Sequence, residues 1–299
     1  MSIDREERGE VRAQASRNVE RLGRPATQGW LRLLGSELRL IVTRRRNQVG
    51  LGVLFGLVVL VGIALKVSAV RHPRSQSGDL IAAVAGNGIF LGFAALSIEI
   101  ALFLPLAVSV LAGDAIAGEA NQGTLRYLLV APVGRARLVL VKAASLAIGA
   151  LIGALVVALA GVLTGAALFG IGPPTSLSGS QLGVGDGLWR LLLAVLYLAA
   201  GLAALAMIGL FISTLTEQPI AATVATAMVG TLFWILDSVP QLDWLHPWLL
   251  VDRWLAFVDL LRDPPFTDRI VAGLWVDAAY AAVFLTLAWL RLRRMDVTS

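Results

Sequence analysis

The segment DAIAGEANQGTLRYLLVAPVGRARLVLVK, residues 114–142, is a polar, charged stretch between two long apolar segments. Residues 115–130 predict a short helix, with apolar side chains near one another at helical spacing: Ile116, Ala120, Tyr127 and Val130. Acidic residues lie toward its start and basic residues follow its end, as the helix dipole favours. Such a helix would lie along the membrane surface and pass movement between a soluble partner and the membrane.

The composition is that of a membrane protein. The chain is 57% hydrophobic and 15% charged, whereas soluble domains carry about 25% charged residues. Its apolar runs reach the roughly 20 residues that a helix needs to cross a bilayer. Outer-membrane barrels are excluded, because their strands alternate apolar and polar residues over about 10 positions. We therefore predict an all-α polytopic membrane protein.

Several kinds of site are not expected. The chain has no cysteine, so it has no disulfide and no thiolate metal centre. Its two histidines, His72 and His246, are far apart, so no metal site is predicted. The net charge of +5 is explained by basic residues beside the apolar runs, and no nucleic-acid partner is expected.

Three regions are predicted along the chain. Residues 1–27 form a flexible cytoplasmic tail, residues 28–46 an amphipathic interfacial helix, and residues 47–299 a six-helix transmembrane domain. The alternative for 28–46 is an extension of the first spanning helix. Pro105 is expected to kink the second span. The predicted spans are about 49–69, 82–111, 138–170, 189–214, 219–236 and 270–290.

Three glycine pairs permit close helix packing in the membrane. They are Gly88-x-x-x-Gly92, Gly149-x-x-x-Gly153 and Gly161-x-x-x-Gly165.

Two loops on the outer side are predicted to differ. Residues 171–188 are rich in Gly, Pro and Ser and predict a flexible connection. Residues 237–269 are aromatic and predict one or two short re-entrant helices that dip into the outer leaflet. A solvated loop is the alternative for this second segment.

The basic residues predict the orientation. With a cytoplasmic N-terminus, 18 of the 25 Lys and Arg residues lie on the inner side. Both termini and residues 114–142 are therefore expected in the cytoplasm, and the protein in the cytoplasmic membrane.

The sequence contains no nucleotide-binding loop and no hydrolase motif, so no enzymatic activity is expected. Glu99 lies inside the second apolar run and is predicted to face protein or a watery cavity, because a charge there costs about 3 kcal/mol. Two alternatives stay open for Glu99: a polar point in a translocation path, or a structural contact with a Ser, Thr or Arg. Asp277 is predicted at the membrane interface, near the outer end of the last span.

The 114–142 segment resembles a pattern that permease subunits of ABC-2 type transporters carry between their second and third spanning helices. The matching positions are Asp114, Ile116, Glu119, Gly123, Thr124, Leu125, Leu128, Leu129, Pro132, Val133, Arg135 and Lys142. The resemblance implies a coupling helix at about 113–132, seated in a cleft of an ATPase. Asp114 and Glu119 would contact the ATPase, and Gly123 and Thr124 would end or bend the helix. The implied coupling set also includes Ile116, Arg126 and Tyr127.

The resemblance also implies partners. Two permease subunits, identical or homologous, would pair in the lipid membrane above two ABC ATPase subunits, which would hold the ATP and Mg²⁺. No cofactor is expected on this chain. Residues 28–46 would be the connecting helix and residues 237–269 the re-entrant helices that close the exit.

The expected function is outward transport of a drug, lipid or peptide. Two alternatives stay open: an ion- or proton-coupled secondary transporter that uses Glu99 and Asp277, and a scaffold or sensor that moves no cargo.

Overall fold

The computed structural model describes residues 26–71, 87–123, 135–172, 176 and 178–294. Residues 1–25 of the predicted tail and the predicted coupling residues Thr124, Arg126 and Tyr127 lie outside them. The described residues form helices and no β-strand. The α-helices are α1 Ala26–Thr43, α2 Arg45–Arg71, α3 Ile89–Glu99, α4 Phe103–Asp114, α5 Ala117–Asn121, α6 Arg135–Phe169, α7 Val184–Ser213, α8 Pro219–Asp237 and α9 Asp268–Arg294.

Five of these helices, α2 and α6 to α9, are long and apolar enough to cross a membrane. The number rises to six if α3 and α4 are one broken span, since the two are bent by 58° at a short gap. The prediction of an all-α, multi-pass membrane protein is therefore confirmed at this level.

The gap between α3 and α4 replaces the kink predicted at Pro105. Pro105 is the third residue of α4, and the gap covers residues 100–102. A proline ring clashes with the carbonyl four residues earlier, which here belongs to Ala101. In the first turn of α4 the missing proline N–H costs no hydrogen bond. One helix therefore ends before the proline and a second begins, instead of a single helix with a kink.

Two of the three glycine pairs lie at one helix crossing. A Cβ built on Gly165 would collide with the carbonyl oxygen of Gly88, and one on Gly161 would lie 2.5 Å from the Cα of Gly92. The backbones of α3 and α6 are thus in direct contact, as predicted for these pairs. A Cβ on Gly153 would meet only the Leu104 side chain, at 3.5 Å.

Helix α7 lies at the centre of the bundle and packs against α4, α6, α8 and α9. The outer helices expose large apolar side chains, with Ile220 of α8 79% exposed and Trp275 of α9 72% exposed. Exposed apolar surface of this extent is expected where a helix contacts lipid or another subunit.

The ends of α1, α4, α7 and α9 and the start of α6 lie together. Arg44 contacts Asp114, Ser213 contacts Ile116, and Arg135 donates to the Arg293 carbonyl. We call this the α1 end of the bundle.

The opposite end is covered by the segment that precedes α9. Its 3₁₀ helices are Pro240–Leu242, His246–Trp248 and Trp254–Leu261. Trp254 and Phe257 are fully buried against the bundle, whereas Trp244 is 71% exposed. Short helices were predicted here. The prediction for 171–188 was wrong at its end, because α7 already begins at Val184.

Candidate functional site

The chain turns between α4 and α5 at the α1 end, and we call residues 113–123 the corner. Helix α5 has only five residues and ends at Asn121, after which Gly123 adopts a φ of +69°. The prediction of one helix over 115–130 was therefore wrong. A left-handed glycine of this kind commonly ends a helix, which fits the expectation that Gly123 ends or bends this one.

Ser213, the last residue of α7, holds the corner together. Its hydroxyl accepts hydrogen bonds from the backbone N–H groups of Ile116 (3.0 Å) and Ala117 (2.8 Å). The same hydroxyl donates to the carbonyl of Gly113 at 3.0 Å. One buried side chain thus satisfies three backbone groups that the break between α4 and α5 leaves without helical partners.

The corner is also tightly packed. A Cβ on Gly113 would collide with Thr223 at the start of α8, and one on Gly118 would lie 2.7 Å from the Asp114 carboxylate. Ile116, predicted in the coupling set, is only 2% exposed. Ile116 therefore lies beneath the corner and not on its surface.

Asp114 is paired with the arginines that follow α1. Its Oδ2 accepts hydrogen bonds from Arg44 and from Arg46, the latter at 3.0 Å. Its side chain is 13% exposed, whereas those of Arg44 and Arg46 are 39% and 52% exposed. Two of the three consecutive arginines at 44–46 thus point toward this carboxylate.

Local sequence positions those arginines. The side-chain amide of Asn47 donates to the Ile41 carbonyl at 2.9 Å, and that of Gln48 donates to the Val42 carbonyl at 3.1 Å. These bonds satisfy carbonyls that the end of α1 leaves free. The helical structure is interrupted at Arg44, and the chain continues as α2.

Lys142 of α6 joins two acids. Its ammonium donates to Glu37 of α1 at 2.8 Å and to Glu119 of α5, and its side chain is only 5% exposed. Glu37 is thus turned toward the bundle. Burial raises the pKa of the Glu119 carboxyl above its ordinary value, and the nearby Lys142 ammonium partly offsets the increase.

Together these side chains form an ion-pair cluster around a crevice of about 50 Å³. Its members, three acids and three bases, are Glu37, Arg44, Arg46, Asp114, Glu119 and Lys142. Among the described residues no three potential ligands are placed to hold a metal ion. The cluster instead locks the corner to α1 and α6, so that these elements must move together.

The exposed tip of the corner is Asn121, Gln122 and Gly123. Asp114 and Glu119, predicted to face a partner, use their carboxylates for contacts within the chain. Sequence reasoning missed Ser213 and Glu37. A helix-terminal serine and a lone acid on an amphipathic helix carry no local signal for contacts 97 and 105 residues away.

Glu99 ends α3 at the gap before α4. It is 2% exposed, and neither of its carboxylate oxygens has a hydrogen-bond partner among the described residues. The structural contact with a Ser, Thr or Arg, one of the two predicted alternatives, is absent from this part of the chain.

We expect Ser213→Ala to loosen the corner. Losing this buried hydroxyl should lower the free energy of unfolding by about 2 kcal/mol, because backbone groups of the corner lose their partner. The amide protons of Ile116 and Ala117 should exchange faster in hydrogen-exchange mass spectrometry. Ser109→Ala is the matched control, since that buried hydroxyl bonds only a carbonyl of its own helix. Equal exchange in both variants would contradict the role of Ser213.

One family model matches residues 81–298, described as a protein of unknown function (DUF2705). The matched range includes Asp114, Glu119 and Lys142, whereas α1 and α2 precede it. No curated protein matches the chain. Because the family model covers well over half of its residues, the chain belongs to the DUF2705 family.

Proposed function

We propose that the chain is the membrane-spanning permease subunit of an ATP-driven exporter of the ABC-2 type. It carries no nucleotide-binding motif, so two separate ATPase subunits would bind ATP and Mg²⁺ and hydrolyse the ATP. The observation that carries the proposal is the corner at the α1 end, which hydrogen bonds and ion pairs hold in place. Among the described residues of the corner, 121–123 form an exposed tip, and the residues behind it are tied to α1, α6 and α7.

The geometry suits transmission of force. A push on residues 121–123 would act on α5, whose Glu119 is bound to Lys142 of α6. The same push would reach α4, which is separated from α3 by the gap at residues 100–102. A gap of this kind provides a hinge, so α4 can move against α3 without unfolding either helix.

In this proposal α3 and α4 form one broken span, which makes six spans in each of two paired subunits. The α1 end faces the cytoplasm of the cell, with α1 as the connecting helix. The segment before α9 closes the exit on the outer side. A hydrophobic or amphipathic compound would pass through the apolar bundle, and the unpartnered carboxylate of Glu99 would lie beside its path.

The first experiment is purification of the full chain from its native membrane in mild detergent. We expect an ATPase with a phosphate-binding loop to be recovered with it and to hydrolyse ATP. Gln122→Arg should reduce that recovery and the hydrolysis several-fold, because it adds a charge to the exposed tip. Gln241→Arg is the matched control, an exposed glutamine at the opposite end of the bundle. If the wild-type preparation hydrolyses ATP only at the background rate, the proposal is rejected.

Glu99 supports a second candidate, a proton-coupled carrier. A buried carboxylate without a partner in a spanning segment is a natural proton-binding group. This candidate requires transport that stops when the proton gradient is dissipated and that continues without any ATPase. The ABC-2 proposal requires transport that continues when the proton gradient is dissipated and that stops without the ATPase.

A further inference from the structure

A large cavity, open on its outer side, lies between α6, α7 and α9, apart from the ion-pair cluster and from Glu99. Its volume is about 790 Å³, and alanines of all three helices form most of its wall. The rest of the apolar lining is Leu140, Met207, Leu274 and Leu285. Among the described residues that line it, Asp277 is the only one that carries a charge.

The position of Asp277 in the sequence predicts the membrane interface, and in the structure its side chain is buried in the helix bundle. It is only 6% exposed, and no described residue donates a hydrogen bond to it. Helix α9 begins at Asp268, which places Asp277 more than two turns inside the helix. The segment before α9 also covers this region, since Trp254 packs beside Gly201, opposite Asp277.

The glycine at position 201 lets Trp254 and Asp277 lie close to the backbone of α7. A Cβ there would lie 3.6 Å from Oδ1 of Asp277 and 2.7 Å from Nε1 of Trp254. The three helices thus leave open space around a buried acid where larger side chains would have covered it. Burying a carboxylate without a partner costs free energy, which is why an acid inside a span by default marks a binding site.

We propose that this cavity binds a lipophilic organic cation, with Asp277 as its counter-ion. A metal ion does not fit, because Ca²⁺ and Mg²⁺ need several oxygen ligands and the cavity offers one carboxylate. An organic cation spreads its charge over apolar groups and is weakly hydrated. The alanine-lined wall would contact the apolar groups while the carboxylate neutralises the charge.

The proposal that the cavity is a binding site does not depend on the transport mechanism. Its role as the cargo site rests on the proposed function and names the cargo as a cationic member of the hydrophobic class expected above.

The test is equilibrium binding of radiolabelled tetraphenylphosphonium to the purified full chain in detergent, with no ATPase present. We expect saturable binding to the wild type. Asp277→Asn should weaken it roughly tenfold, the change that losing one charge-assisted contact produces. Asp277→Glu should retain most of the affinity, and Ala281→Phe should reduce binding by filling the cavity. Tetraphenylborate, which has the same shape and the opposite charge, should not bind more weakly to Asp277→Asn than to the wild type.

The matched control is Asp268→Asn, the same change at the exposed start of the same helix. It should bind tetraphenylphosphonium as the wild type does. Absence of saturable binding to the wild type would overturn the proposal, and so would equal affinity of the Asp277→Asn variant. Dissociation of an oligomer by Asp277→Asn, measured by size-exclusion chromatography, would also overturn it and assign the cavity to a subunit interface. None of these results depends on ATP, so they leave the proposed function to its own test.

Discussion

Lys142→Met is expected to lower the free energy of unfolding by about 3 kcal/mol, the lower end of the range for breaking a buried ion pair from one side. The lysine is nearly buried and is the ion-pair partner that Glu37 and Glu119 share. Without it the two carboxylates would lie near each other in a partly buried crevice with no shared cation between them. The lower end of the range applies because the two acids remain 20% and 17% exposed.

The measurement is unfolding of the purified chain by a denaturing detergent, followed by tryptophan fluorescence. Lys66→Met is the matched control. That lysine is exposed near the opposite end of the bundle, donates to the Leu168 carbonyl at 2.6 Å and lies over the Phe169 ring. The control should change the unfolding free energy by less than about 1 kcal/mol.

A compensating variant separates charge from packing. Combining Lys142→Met with Glu37→Gln and Glu119→Gln should recover most of the lost stability, because neutral replacements of a buried ion-pair network are often tolerated. If the single variant is as stable as the wild type, the cluster does not lock α1 to the corner. If the triple variant is no better than the single one, the loss comes from packing.

The helices were readily predicted because each depends on a property of its own residues. A run of apolar residues long enough to cross the membrane is visible without reference to the rest of the chain. Helices α6, α7, α8 and α9 therefore lie within a few residues of their predicted bounds, apart from the early start of α7.

The candidate site could be predicted only in part, because it is made of contacts between distant residues. Asp114 and Glu119 were singled out from the 114–142 segment. The linker after α1 holds Arg44, which pairs with Asp114. Helix α1 itself holds Glu37, which shares Lys142 with Glu119. The spacing of residues on α1 shows that one face is polar and leaves open what that face meets. In the structure Glu37, on this helix, meets Lys142 of α6.

Asp277 shows the same difficulty inside the membrane. Its distance from the end of an apolar run suggested an interfacial position. Its burial depends instead on Trp254 and Gly201, which belong to other elements. The long aromatic segment before α9 was expected to lie near the membrane surface, and its contribution to covering this acid was invisible in the α9 sequence.

The glycine crossing between α3 and α6 leads to the second large expected effect. Gly161→Ala should destabilise the fold by about 3 kcal/mol, at the upper end of the usual cost of overpacking. The added methyl would lie 2.5 Å from the Cα and 2.9 Å from the backbone N of Gly92. A side chain could rotate away from such a contact, but backbone atoms retreat only if the two helices separate.

Gly153→Ala, two turns earlier on α6, is the matched control and should have the opposite sign. Its methyl would lie 3.5 Å from the Leu104 side chain, an ordinary contact. Replacing a glycine inside a helix by alanine then stabilises the helix by roughly 0.5 kcal/mol, because less backbone freedom is lost on folding. Both variants are measured by the same detergent unfolding. Equal stability of the two would mean that α3 and α6 do not meet through their backbones, and α3 would then lack the fixed support against which α4 moves in the proposed mechanism.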